Sequence, residues 1–131
     1  MSCICDVHVE YVRECGYSNL QHWIVDENNV YVGRRGVVMI NNARFPPTNS
    51  IWANPYKVDK DGTLTEVLQK YWYYLKKMLT DNPHLFQELK KLKGKRLGCW
   101  CVKKKYVDSK DPNMWVCHAQ ILAYFVNHFF P

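Results

Sequence analysis

Apolar and polar residues alternate from Cys5 to Tyr11, with Cys5, Val7, Val9 and Tyr11 on one side and Asp6, His8 and Glu10 on the other. That period of two predicts a half-exposed strand. Short β-rich runs follow at His22–Val25, Val30–Gly33 and Val37–Ile40, separated by Asn28-Asn29 and by Arg34-Arg35-Gly36, which have turn composition. Residues 41–62 then read as a long Asn- and Pro-rich connection. Loops of that length inside a compact domain are usually functional or mobile, and this one carries Phe45, Trp52 and Tyr56, which a merely solvated loop does not need.

The period changes at Thr63. Glu66 stands three residues on, the capping-box spacing, and Leu64, Val67, Leu68, Tyr71, Trp72, Leu75, Met78 and Leu79 keep one helical face. Asn82-Pro83 has the form of an N-cap followed by proline at the first helical position, and Phe86, Leu89 and Leu92 continue a second, shorter helix up to Gly94. Arg96–Cys101 reads as a short strand with Leu97, Cys99 and Cys101 on one side. From Cys117 or His118 onward, Ile121, Leu122, Phe125, Val126 and Phe129 form the stripe of a last helix. Strands, two helices, a strand and a closing helix predict an α/β fold: one compact domain with a small mixed sheet and about three helices. Its expected division is an N-terminal extension, residues 1–28, carrying a strand, and an α/β domain over residues 29–131.

Composition narrows this picture. The 131 residues carry a formal charge of +6 and are 47% hydrophobic and 23% charged, which suits a single folded domain and excludes general disorder. No apolar run approaches the roughly 18 residues that argue for a membrane span, and the start, Met-Ser-Cys-Ile-Cys-Asp, has no secretory pattern. A cytoplasmic protein with no membrane partner is the expectation. In a reducing compartment the six cysteines are read first as metal ligands, reactive thiols or small buried residues.

Four places carry candidate chemistry. At Tyr31-Val32-Gly33-Arg34 a strand ends in glycine and arginine: glycine lets backbone approach a ligand, and guanidinium recognises phosphate by paired hydrogen bonds. In Trp52-Ala53-Asn54-Pro55-Tyr56 the proline holds Asn54 extended, so that its amide can read a polar ring while Trp52 or Tyr56 stacks. Cys99, Cys101, Cys117 and His118 form the third group. Three thiols and an imidazole make a zinc set, although strand residues two apart are nearly 7 Å apart along the chain and the spacing is not that of a standard zinc knuckle. A reactive thiol at Cys117 with His118 and simple burial are the other readings; Cys3 and Cys5 repeat the one-residue spacing. The fourth feature is charge: residues 90–110 hold nine of the eighteen basic side chains, including Lys103, Lys104 and Lys105, whereas the first thirty residues carry five acids and one arginine. Such asymmetry suits a polyanion, either a phosphate-bearing ligand or nucleic acid, or else is a solvated lysine-rich face.

Tyr31–Arg34, Trp52–Tyr56, Asp61-Gly62-Thr63, Tyr71, Leu92–Cys101 and Cys117-His118 with Ile121-Leu122 together resemble the domain-of-unknown-function family DUF4326, found in bacteria, phages and large DNA viruses. The resemblance spans about residues 30 to 126 and implies a Gly-Arg strand end, an Asn-Pro-aromatic loop, a Cys-Trp-Cys strand and a Cys-His helix start. It conveys no established activity. Residues 102–116 read as an insertion between the last two motifs, and Gln120 and Leu64 stand where the family often has an acid and an arginine. An infected host cell is accordingly a candidate location. The expected function is binding of a nucleotide-like or phosphosugar ligand by Tyr31, Gly33, Arg34, Trp52, Asn54 and Tyr56, with Cys117 and His118 as the reactive edge of an enzyme acting on nucleotides or nucleic acid. The alternative is a zinc-stabilised, non-catalytic nucleic-acid module.

Overall fold

The computed structural model describes residues 2–100 and 114–131. Strand β1 (Cys3–Asp6) leads into two short helices, α1 (Val9–Glu14) and α2 (Leu20–Val25), and then β2 (Asn29–Tyr31). A hairpin of β3 (Val38–Ile40) and β4 (Ala43–Phe45) precedes the long helix α3 (Leu64–Asp81), the short α4 (Leu85–Lys90), strand β5 (Arg96–Cys99) and the closing α5 (His118–Phe129). The protein is α/β, with five helices among the described residues and two small sheets rather than one.

The main sheet has the order β1-β5-β2 and both pairings are parallel, Cys3 and Asn29 each standing opposite Arg96. Parallel strands are buried on both faces, and alternate residues here serve two cores. Ile4, Val30, Val32, Leu97 and Cys99 pack against α3, α4 and α5, whereas Cys5, Val7 and Tyr31 pack with Val12, Leu20 and Trp23 of α1 and α2. Gly98 faces this second layer. A Cβ there would lie 2.5 Å from Trp23 Cη2 and 2.6 Å from Val7 Cγ1, so only glycine lets the central strand meet α2 so closely.

Local chemistry explains where the elements depart from expectation. The alternation that begins at Cys5 ends as a strand at Asp6, because Asp6 Oδ1 accepts the His8 amide and His8 becomes the N-cap of α1. His22–Val25 is helical, not extended: Asn19 Oδ1 accepts the His22 amide at 2.9 Å, and Leu20 and Trp23 are the buried face of α2. These two helices raise the expected three to five. The 41–62 connection opens with β4, because Asn41 (φ 52°) and Asn42 (φ 64°) make the two-residue turn of a tight hairpin. Asn82 closes α3 instead of opening α4, its backbone and side-chain N–H groups both donating to the Met78 carbonyl, and α4 starts after His84.

Helix α3 forms where the pattern places it. Thr63 Oγ1 accepts the Glu66 amide, Glu66 Oε1 accepts the Thr63 amide, and Val67, Leu68, Tyr71, Leu75 and Leu79 are buried. Residues 2–28 are built into the layers: Ile4 and Val7 are fully buried, one in each core, and the Val7 amide prolongs the ladder to Cys99 O at 2.9 Å. No helix among the described residues is long and apolar enough to cross a membrane.

Candidate functional site

In an open parallel sheet, ligands bind beyond the carboxyl ends of the strands, where the connections splay apart. Here β2 and β5 end beside the start of α5, and a cleft of about 480 Å³ opens between them. From β2 the chain runs through Val32, whose amide donates to Gly98 O at 2.9 Å, into Gly33 and Arg34. The Tyr31 ring folds over Gly33 so closely that a Cβ there would sit 2.6 Å from the phenol oxygen, and the Tyr31 hydroxyl donates to Arg34 O at 2.5 Å. Glycine is needed at 33 for this contact, not for an unusual dihedral.

The fixed turn aims Arg34 at the Asn-Pro-aromatic loop. Its Nε and Nη2 donate to Asn54 O at 3.1 and 3.0 Å, and Nη2 also donates to Tyr56 O at 2.7 Å. Asn54, itself buried, uses Oδ1 to accept the Tyr56 amide at 2.9 Å, leaving its side-chain NH₂ as the group that can serve the cleft. Because Arg34 is held by neutral carbonyls, the guanidinium charge is not cancelled by any carboxylate among the described residues.

Opposite lies the start of α5. Cys117 occupies the N-cap, and Gln120 Oε1 accepts the backbone amides of Val116 and Cys117 at 2.6 and 3.1 Å. His118 Nε2 is 2.7 Å from Val32 O; a carbonyl can only accept, so Nε2 carries a proton and Nδ1 is turned to Cys117 Sγ at 3.6 Å. The Val32 carbonyl, one residue past β2, thereby sets the imidazole as acceptor for the Cys117 thiol at the start of α5. Tyr71 braces the pair from α3: its ring meets His118 edge to face with centroids 5.1 Å apart, and its hydroxyl donates to Trp52 O at 2.7 Å. Burial first, then the negative field of Cys117, pushes the Tyr71 phenol well above its ordinary value, so it stays a neutral donor.

Tyr31, Gly33, Arg34, Asn54, Tyr56, Cys117 and His118 thus meet around one cleft. Trp52 does not: it is 3% exposed, packed in the core, and contributes its carbonyl to Tyr71 rather than a stacking face. Cys99 and Cys117 belong to one core and Cys3 and Cys5 to the opposite layer, so the described cysteines do not form one cluster. Cys101 and Lys103, Lys104 and Lys105 fall outside the described residues, and with them the full zinc set and the second half of the basic stretch; in its first half Lys91 pairs with Glu88, Arg96 pairs with Asp26, and Lys95 Nζ donates to Glu27 O. Among the described residues no group of three or more His, Cys, Asp or Glu is placed to hold a metal ion.

Sequence reading missed Lys57, which follows Tyr56 directly, and Trp100, the centre of the Cys-Trp-Cys motif, whose ring meets that of His8 at a tilt of 47° with centroids 5.1 Å apart. It also missed the apolar wall of Val37, Leu64, Val67 and Val116. No Asp or Glu lines the cleft among the described residues, so its fixed charges, Arg34 and Lys57, share one sign.

Fold and site define a small α/β protein whose basic, aromatic cleft ends in a thiol–imidazole pair. Residues 17–128 match the family model of the domain of unknown function DUF4326, and the chain belongs to that family. It is also 29% identical over 99 residues to an uncharacterised protein of Acanthamoeba polyphaga mimivirus, an alignment covering 76% of this chain and 67% of that one. No solved structure matches.

Proposed function

We propose that the protein binds a nucleotide-like or phosphosugar ligand in this cleft and acts on it through Cys117, with His118 Nδ1 as acceptor of the thiol proton. The observation that carries the reading is the convergence, in one cleft lined by no carboxylate among the described residues, of Arg34 and Lys57, the rings of Tyr31, Tyr56 and Trp100, and the Cys117–His118 pair. Cations of one sign in a walled cleft concentrate an anionic ligand. The aromatic walls offer faces for a planar ring, Tyr56 in the part expected of it and Trp100 in the part expected of Trp52. A thiol beside an oriented imidazole at a helix start is an activated nucleophile.

Calorimetry and thermal shift with a panel of nucleoside monophosphates and sugar phosphates test this. At least one member should bind, about tenfold or more weakly in Lys57→Ala. Cys117→Ser should still bind that ligand yet leave it chemically unchanged where the unaltered protein converts it. A panel in which no member binds removes the reading.

A further inference from the structure

A second hollow of about 640 Å³ adjoins the cleft and shares Arg34, Asn54 and Lys57 with it. Its own contribution is Arg35, together with Asn49 and Ser50. The wall is tied in place: Asn49 Oδ1 accepts the Arg35 amide at 2.8 Å, and the Ser50 amide donates to Gly33 O at 3.1 Å. Arg35 and Lys57 are exposed, and neither they nor Arg34 is ion-paired among the described residues; the cationic ends that are paired belong to Lys77, Lys91 and Arg96. No carboxylate residue among the described residues lines this hollow either. Arg34 and Lys57 thus line both hollows and Arg35 the second alone, so three cations with no ion pair among the described residues border it.

From this we infer that the ligand carries at least two linked phosphates, as in a nucleoside or sugar diphosphate, with the ring in the aromatic cleft and the diphosphate over Arg34, Arg35 and Lys57. The inference rests on the proposed function and adds its substrate class. A single phosphate can be met by Arg34 and Lys57 alone and leaves Arg35 without a role. A polynucleotide wants cations strung at phosphate spacing along a groove, whereas these three sit on two short segments, residues 34–35 and 57, around one hollow.

The test is calorimetry at low salt on the full chain with inorganic phosphate, inorganic pyrophosphate and a short oligothymidylate. Pyrophosphate should bind about tenfold more tightly than phosphate, and Arg35→Ala should bring it down to the phosphate level. Lys77→Ala, on α3 and paired with Asp81, should change nothing. Equal affinity for the two anions, indifference to Arg35→Ala, or tighter binding of the oligothymidylate overturns the inference. Nucleoside monophosphates that bind with no gain in the matching diphosphates overturn it while leaving the proposed function standing. Arg35-dependent pyrophosphate binding without binding of any nucleotide or sugar phosphate supports the phosphate hollow and removes the proposed function instead.

Discussion

Arg34 holds two of its neighbours' carbonyls with three N–H groups, so its first duty is to shape the loop that carries Asn54 and Tyr56. Removing it leaves those carbonyls short of donors. Arg34→Ala should therefore cost about 1–3 kcal/mol in denaturant unfolding, and Arg34→Lys should recover little, because an ammonium cannot span the same acceptors in a planar fork. Cys3 allows a pH test. The Cys5 thiol donates to it and Arg96 lies near, which together bring the Cys3 thiol down to about 6, while the shared proton and burial push Cys5 up. Alkylation of Cys3 should accordingly rise through pH 6 and level off, as followed by mass spectrometry, where an ordinary thiol is still gaining toward roughly 8.5. A depressed pKa stabilises the fold above the unfolded value and loses that stabilisation as pH falls through about 6. Cys3→Ser should therefore narrow the difference in thermal midpoint between neutral and acid conditions.

Among the elements, those with both a periodic stripe and a capping signal were legible in the chain. Helix α3 has eighteen residues, a reciprocal Thr63–Glu66 cap and a buried stripe, and each feature points the same way. Helix α2 has six, too few to show a period, and its Trp23, Ile24 and Val25 favour strands by propensity; only Asn19 three residues before His22 marked the helix start. The second half of the hairpin was hidden for a similar reason: Val37–Ile40 reads as β-rich, but an Asn-Asn turn and the three residues of β4 resemble loop. At the site, the residues that converge were readable because strand ends and helix starts of parallel folds gather at one edge. The inward turn of Trp52 was not, because a loop tryptophan looks the same in sequence whether it faces ligand or core. Gly98 condenses the element-level argument: the central strand touches α2 without a side chain between. Gly98→Ala should cost about 1–3 kcal/mol through overpacking against Trp23 and Val7, read as a lowered denaturant midpoint.

Across the whole molecule, the segment that sequence reading set apart as an extension supplies one strand of the sheet and part of each core. Deleting residues 1–8 removes Ile4 and Val7 together with the β1–β5 ladder, and circular dichroism should show loss of the cooperative thermal transition rather than a modest shift. The strand order carries a further consequence for biosynthesis. The middle strand is the last of the three to be made, since β1 and β2 leave the ribosome well before Arg96–Cys99. Until then the two outer strands have no partner between them, and a lane one strand wide, closed later by about 4.8 Å of spacing on each side, stays open. Both apolar layers face that lane. The nascent chain thus keeps unpaired strand edges and uncovered core through most of its translation, the stage at which a chaperone that recognises extended apolar segments has its longest access to it.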